Sequence, residues 1–255
     1  MCFSKGWLVL NHGIARLRTD YRPQENRSVV SHQFGKAPLQ VHRPLYLSRN
    51  NHPTVFLRSP SAGLLDGDRH EIEIDVADGA TLEVRTQAAC LVYTGSSRQD
   101  VVIKLGRDSK LCFCPQPFIL TAGAGLTQRI KVDMHESSGL LLKDSFSAGR
   151  IAMGECWQFR EMDSSIDITI SGKVAHRDRW RLNPEKQAAD DALVAGKYNA
   201  YESLYLFGEA YKNCPGVPDD GGRLKEDCED GTTDNSTVWS MERDGNCIKR
   251  MLEQR

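Results

Sequence analysis

With 255 residues the chain is long enough to bury a substantial core, as one large domain or two small ones. Its 33 Lys and Arg nearly cancel its 34 Asp and Glu, leaving a formal charge of -1, so bulk charge gives no reason to expect a nucleic-acid partner. No apolar run approaches the roughly 18 residues of a membrane helix, and Met1 to Trp7 contains neither an extended apolar region nor a small-residue cleavage site, so a cytoplasmic protein is expected.

From Gly6 to Leu17 the pattern is mixed, with Trp7, Leu8, Val9, Leu10 and Ile14 able to supply a first strand pair turning at Asn11-His12-Gly13. Asp20 to Ser28 is polar, contains Pro23 and reads as a loop. Ala37 to Leu47 is extended, because residues before proline are pushed out of the helical region. A short strand at Thr54 to Leu57 runs into the turn-rich loop Ser59 to Asp68.

The clearest periodicity follows. Ile72, Ile74 and Val76 alternate with Glu71, Glu73 and Asp75, Asp78-Gly79 supplies a turn, and Leu82 and Val84 resume with period two. This predicts a hairpin with one buried and one wet face. The plan returns at Val101, Ile103 and Leu105 with Leu111 and Phe113, and again at Ile130, Val132 and Met134 with Leu140 to Leu142. Turns near residues 79, 107 and 138 are spaced by about 30, as in a stacked or helical β architecture, with an ordinary sandwich as the alternative. A fourth alternating run holds Ile166, Ile168 and Ile170.

Asn183 as cap, Pro184 at the first helical position and Gly196 as terminator predict a helix. Tyr198 to Tyr211 reads as strand. Residues 214–235 carry seven acidic and two basic residues among Pro and Gly, the composition of a flexible solvated loop. A strand at Val238 to Met241 and a short helix at Asn246 to Leu252 close the chain. No linker divides it, so residues 1–255 read as one domain.

Eight scattered cysteines are read as reduced. Only Cys112 and Cys114 lie close together, sharing one face of a strand. Without a CxxC pair they read as small hydrophobes rather than a soft-metal site. There is no phosphate loop, dinucleotide fingerprint, HExxH or GxSxG, and no histidine pair at helical ligand spacing. The carboxylates say more. Asp68 follows Gly67, Glu155 follows Gly154, and Asp178 lies in Arg177-Asp178-Arg179. Oxygen ligands of this kind let a divalent ion pass where thiolates would trap it. Capping, or pairing with Arg150 or Arg179, would explain the same residues. Gly149 and Gly154 enclose Arg150 within Phe146 to Glu155, a spacing that fits a tight specific structure or an ordinary salt-bridged turn.

Five motifs in this order resemble the urease accessory protein family called D in many organisms and H in others. They are Ala37-Pro38-Leu39 with Arg43-Pro44-Leu45, Ser61-Ala62-Gly63-Leu64-Leu65-Asp66-Gly67-Asp68, and Thr86-Gln87-Ala88-Ala89-Cys90-Leu91-Val92-Tyr93. Pro115-Gln116-Pro117-Phe118-Ile119 and Gly149-Arg150 with Gly154-Glu155 complete the set. Departures are Ala62 for the first loop glycine, Cys90 for Ser or Thr, and Leu120 to Ala124, which lacks the usual proline and acidic character. The resemblance implies a mainly β fold: an elongated antiparallel β body with stacked, β-helix-like hairpins and a few short α-helices. It also implies a non-enzymatic maturation factor that binds apo-urease with accessory protein F and, through it, the GTPase accessory protein G. No tightly bound cofactor is expected, and nickel is a transient cargo. Carried over by motif, Asp68 and Glu155 would line a polar route for nickel, with Arg150 orienting Glu155. The other motif residues, Gly63, Gly67, Thr86, Gln87, Tyr93, Pro115, Gln116, Gly149 and Gly154, would be structural. The alternatives are a carboxylate-dependent enzyme using Asp68, Glu155 and Asp178, or a binding module with no metal role.

Overall fold

The computed structural model describes residues 12–47, 51–61, 63–186, 198–208, 236–243 and 246–253, the last two stretches as backbone only. The expected helix over Asn183 to Gly196 lies mostly outside these residues, as does the acidic stretch 214–235. Asn183 does act as a cap, its Oδ1 accepting from the Lys186 N–H at 3.2 Å.

The fold is mainly β, as expected, and its strands follow the alternation of the sequence. The first four are β1 (His12–Arg22), β2 (Arg27–Lys36), β3 (Gln40–Val41) and β4 (Thr54–Arg58). Next come β5 (Arg69–Val76), β6 (Thr81–Thr86), β7 (Cys90–Val92), β8 (Gly95–Leu105), β9 (Lys110–Cys114), β10 (Phe118–Leu120), β11 (Ala124–Met134) and β12 (Gly139–Ser147). The chain continues through β13 (Glu161–Ile170), β14 (Lys173–Leu182), β15 (Ala200–Phe207), β16 (Ser236–Arg243) and β17 (Asn246–Glu253). One sheet has the order β14-β13-β11-β8-β5-β1-β2, and the second β16-β17-β15-β12-β9-β6-β4-β3.

The body of both sheets is parallel, which corrects the expected antiparallel hairpins. β5, β8, β11 and β13 pair in parallel in the first sheet, and β4, β6, β9 and β12 do so in the second. Antiparallel pairs occur toward the margins, as at β1–β2, β13–β14 and β12–β15. The reason lies in the turns. Strands β5 and β6 belong to opposite sheets, so the four residues between them form an arch across the core rather than a hairpin. Arches bond to the next coil: the Gly79 N–H donates to the Arg107 carbonyl at 2.8 Å, and the Asp78 carboxylate accepts from the Arg107 N–H at 2.8 Å. Alternation reports that each strand buries one face, and a hairpin and an arch satisfy that equally.

Two smaller expectations also fail. His12 and Gly13 open β1 rather than forming a turn, and residues 246–253 form β17, held between β15 and β16, where a helix was expected. Among the described residues the only helical segments are two 3-10 turns, Pro23–Glu25 and Ile151–Met153.

Successive coils repeat every 29 residues from β5 to β11 and from β4 to β12, and the step from β11 to β13 is 36, so like positions stack. Ile72, Val101 and Ile130 form one inner row, and Ile166 continues it. Leu82, Leu111 and Leu140 form a facing row. These rows belong to one continuous buried core between the sheets. A second apolar cluster, built on Leu64, Val92, Leu126, Phe146 and Phe159, fills the corner closed by β7 and β10.

Leu111 is fully buried between its row neighbours. Leu111→Ala is therefore expected to destabilise the protein by about 3 kcal/mol through lost burial and a cavity, measured as a lower urea midpoint.

Candidate functional site

The loop between β12 and β13 is built around an ion pair. Arg150 grips Glu155 with two bonds, Nε to Oε2 at 2.8 Å and Nη2 to Oε1. These bonds hold the Glu155 carboxyl below its usual range. Gly149 has φ +153°, and a Cβ there would sit 2.4 Å from the Glu155 carbonyl oxygen, so the close approach demands glycine. Gly154 closes the intervening turn, its N–H donating to the Ile151 carbonyl. The Trp157 N–H bonds the Ala148 carbonyl at 2.8 Å and so clamps the base of the loop. Both carboxylate oxygens of Glu155 are thus engaged by one guanidinium.

The loop before β5 is anchored in a different way. The buried Asp68 accepts from the Leu65 N–H at 2.9 Å, and the Gly67 N–H reaches the Ser96 carbonyl at 2.7 Å. Gly63 has φ +146° and packs so tightly on the next coil that a Cβ would meet the Leu91 carbonyl oxygen at 2.1 Å. Thr86 Oγ1 accepts from the Gln116 N–H at 2.8 Å, while the Gln87 and Tyr93 N–H groups bond the Leu57 and Leu64 carbonyls. A cavity of 450 Å³ opens here. Gly63, Thr86, Gln87, Pro115 and Gln116 line it, with Cys90, His70 and Gln99. Five of the motif residues, far apart in the chain, therefore frame one chamber.

Two lining groups are kept neutral. Burial lowers His70 to about 4 against the pull of Asp68, and burial raises the Cys90 thiol to about 11. His70 Nε2 is buried without a hydrogen-bond partner among the described residues.

From the chamber a polar row runs through the apolar core. The parallel register aligns His70, Gln99, Gln128 and Ser164 on neighbouring strands, all pointing inward with the adjacent apolar rows. Three strand-to-strand steps carry the row about 14 Å. Asp144 faces it from β12, beside Ser203 of β15, and accepts from Gln128 Nε2 at 3.1 Å. The row is rich in unsatisfied polar atoms: Gln128 Oε1, Asp144 Oδ2 and Ser164 Oγ are buried without a hydrogen-bond partner among the described residues. It sits between the two apolar clusters, with Leu142 on one side of Asp144 and Phe146 on the other. At the far end Trp180 pairs with Ser164 and stacks on Phe146 at 5.2 Å. Asp178 lies next to it and accepts from the Tyr205 hydroxyl at 2.7 Å. Burial raises the Asp144 carboxyl to about 6; the Gln128 bond opposes this and the Asp178 charge adds to it.

Of the sequence-predicted carboxylates, Asp68 lies beside the chamber, within reach of His70 and Cys90, Asp178 lies at the far end of the polar row, and Glu155 stands apart in its pair with Arg150. Gln128, Asp144, His70 and Ser164 escape motif reasoning, because each is a single polar break in an apolar alternation. Among the described residues no cluster of three or more His, Cys, Asp or Glu groups could hold a metal ion, and no helix is long and apolar enough to cross a membrane.

The UreD urease accessory protein family model matches residues 12–252. The chain is 36% identical over 187 residues to urease accessory protein UreD 2 of one Synechococcus strain, covering 69% of this chain and 68% of the relative. It is 33% identical over 211 residues to the urease accessory protein UreD of a second Synechococcus strain, covering 78% and 76%. Against the Staphylococcus aureus urease accessory protein UreD the figures are 28% over 187 residues, 72% and 67%.

The Asp144 shift fixes a sign for the pH dependence. An acid whose folded pKa lies above its unfolded value costs stability as pH rises from about 4, where the unfolded group ionises, to about 6, and the cost is constant above that. The stability of Asp144→Asn relative to the unsubstituted chain is expected to improve by about 2 to 3 kcal/mol across this window and then level off. Urea denaturation at a series of pH values measures it; a difference flat across the window contradicts the assignment.

Proposed function

The chain belongs to the UreD family of urease accessory proteins, and on that basis we propose that it is a non-catalytic urease maturation factor that binds apo-urease and helps nickel reach the active site. It does so together with accessory protein F and, through that protein, the GTPase accessory protein G. Nickel is a transient cargo, and no cofactor is tightly held.

The observation that carries this reading is the inward polar row from His70 to Ser164 with Asp144 facing it. An otherwise apolar core bears the cost of several unsatisfied polar groups along one line. Such groups suit water and a passing hydrated ion. A row of amide, hydroxyl and isolated carboxylate oxygens offers weak ligands in series, which favours transit over capture. Asp68 stands beside the entrance chamber. Glu155, gripped on both oxygens, contributes by fixing the loop between β12 and β13, with Arg150 as its holder.

The enzyme reading is less favoured. Asp68, Glu155 and Asp178 each have their own partners, in the loop before β5, at Arg150 and at Tyr205, and do not form one acid-base constellation.

The test is activation of apo-urease in a reconstituted mixture of the accessory proteins, nickel and this chain. Gln128→Leu and Asp144→Asn are expected to lower the nickel content and activity of urease by about tenfold, while co-purification with urease and accessory protein F is unchanged. Full nickel loading by the double variant contradicts a route along the row. Failure of the unsubstituted chain to associate with urease contradicts the maturation role itself.

A further inference from the structure

The outer face of the first sheet carries its charge unevenly. On β1 and β5 cations and carboxylates match across the strands, with Arg16 on Glu73 at 3.0 Å and Arg18 on Asp75 at 2.6 Å. At the opposite margin, where β14 ends the sheet among the described residues, the register of β14, β13 and β11 sets three rows side by side. One row reads Arg177, Asp167, Lys131, the next Arg179, Ser165, Arg129, and the third Arg181, Asp163, Thr127. Five cations in this panel face two carboxylates.

The ion pairs within the panel do not cancel this surplus. Asp163 is shared by three guanidinium groups, Arg129 at 2.9 Å, Arg181 at 2.8 Å and Arg179 at 3.4 Å. Burial works to raise its carboxyl, but the Arg129 and Arg181 bonds hold it at about 2, so its single charge is set against three. Arg177 reaches Asp167 only at 3.4 Å, and Lys131 has no ion pair among the described residues. The Arg177 and Arg179 side chains are 72% and 67% exposed. The strand beneath them is fixed, because its inward Trp180 stacks on Phe146 and its inward His176 packs against Tyr205. The result is a preorganised cationic surface about 10 Å wide and about 13 Å long.

We propose that this face docks an extended acidic segment of a partner protein, laid along β14 with a carboxylate at every second residue. Arg177, Arg179 and Arg181 recur about every 6.6 to 6.8 Å, the repeat of side chains on one face of an extended chain, so alternate Asp or Glu residues meet successive guanidinium forks. The chain uses the same matching internally, where Glu71, Glu73 and Asp75 alternate on β5 beside His12, Arg16 and Arg18 of β1. A nucleic acid fits less well. Glu161 lies beyond one end of the panel and Asp133 beyond the other, so a continuous run of phosphates would leave the cations and meet carboxylates. A second copy fits worst, since two β14 ladders would set arginine against arginine.

Fluorescence anisotropy of a labelled peptide of alternating Glu and Thr, titrated with the full-length protein, tests the surface. Saturable one-to-one binding that weakens as salt is raised is expected, and a peptide of alternating Lys and Thr should not bind. Arg177→Glu/Arg179→Glu should weaken binding at least ~10-fold with an unchanged melting curve, because both side chains are exposed. Lys131→Glu, which breaks no ion pair, should weaken it in the same direction. Lys36→Glu/Arg43→Glu makes the same change in net charge at two exposed positions outside the panel and should bind as the unsubstituted chain does. No saturable binding, an equal loss in the Lys36 and Arg43 variant, or tighter binding of a single-stranded oligonucleotide of the same charge overturns the proposal. So does a β14 variant that self-associates yet binds the peptide as before, since the arginines would then only guard a sheet edge.

Discussion

Parallel registration of 29-residue coils is the constraint on which the rest of the structure depends. Because each strand bonds to its counterpart one coil away, a residue's neighbours across the sheet are fixed by arithmetic rather than by local sequence. Rows of Ile, Val and Leu then stack into a continuous core, and a polar residue at the same coil position in successive turns becomes a polar line. The arches preserve the register, with backbone and Asp78 bonds from one turn to the next.

That constraint explains what could be read in the chain beforehand. Alternation at Ile72, Ile74 and Val76, and at its later repeats, identified the inner faces correctly, and the turn spacing of about 30 anticipated the coil length. Strand direction was hidden, since period two is the same for a hairpin and an arch. The helix expected near Asn246 was a short local pattern, and pairing with β15 and β16 prevails over it.

The chamber shows the same division. Gly63, Thr86, Gln87, Pro115 and Gln116 could be named by motif order, but only folding shows that they enclose one space. His70, Gln99, Gln128 and Ser164 carry no local signal, because their meaning comes from being neighbours across strands. Glu155 illustrates the converse. Its pairing with Arg150 was legible from spacing, and its double engagement places it in the framework of the loop.

The most direct measurement is a high-resolution crystal structure of the protein, with ordered solvent assigned along the inner row. Water bonded to His70 Nε2, Gln128 Oε1, Asp144 Oδ2 and Ser164 Oγ, in a line continuous with the chamber, is the expected result. A dry interior in which these side chains turn to bond one another would contradict a polar passage through the core.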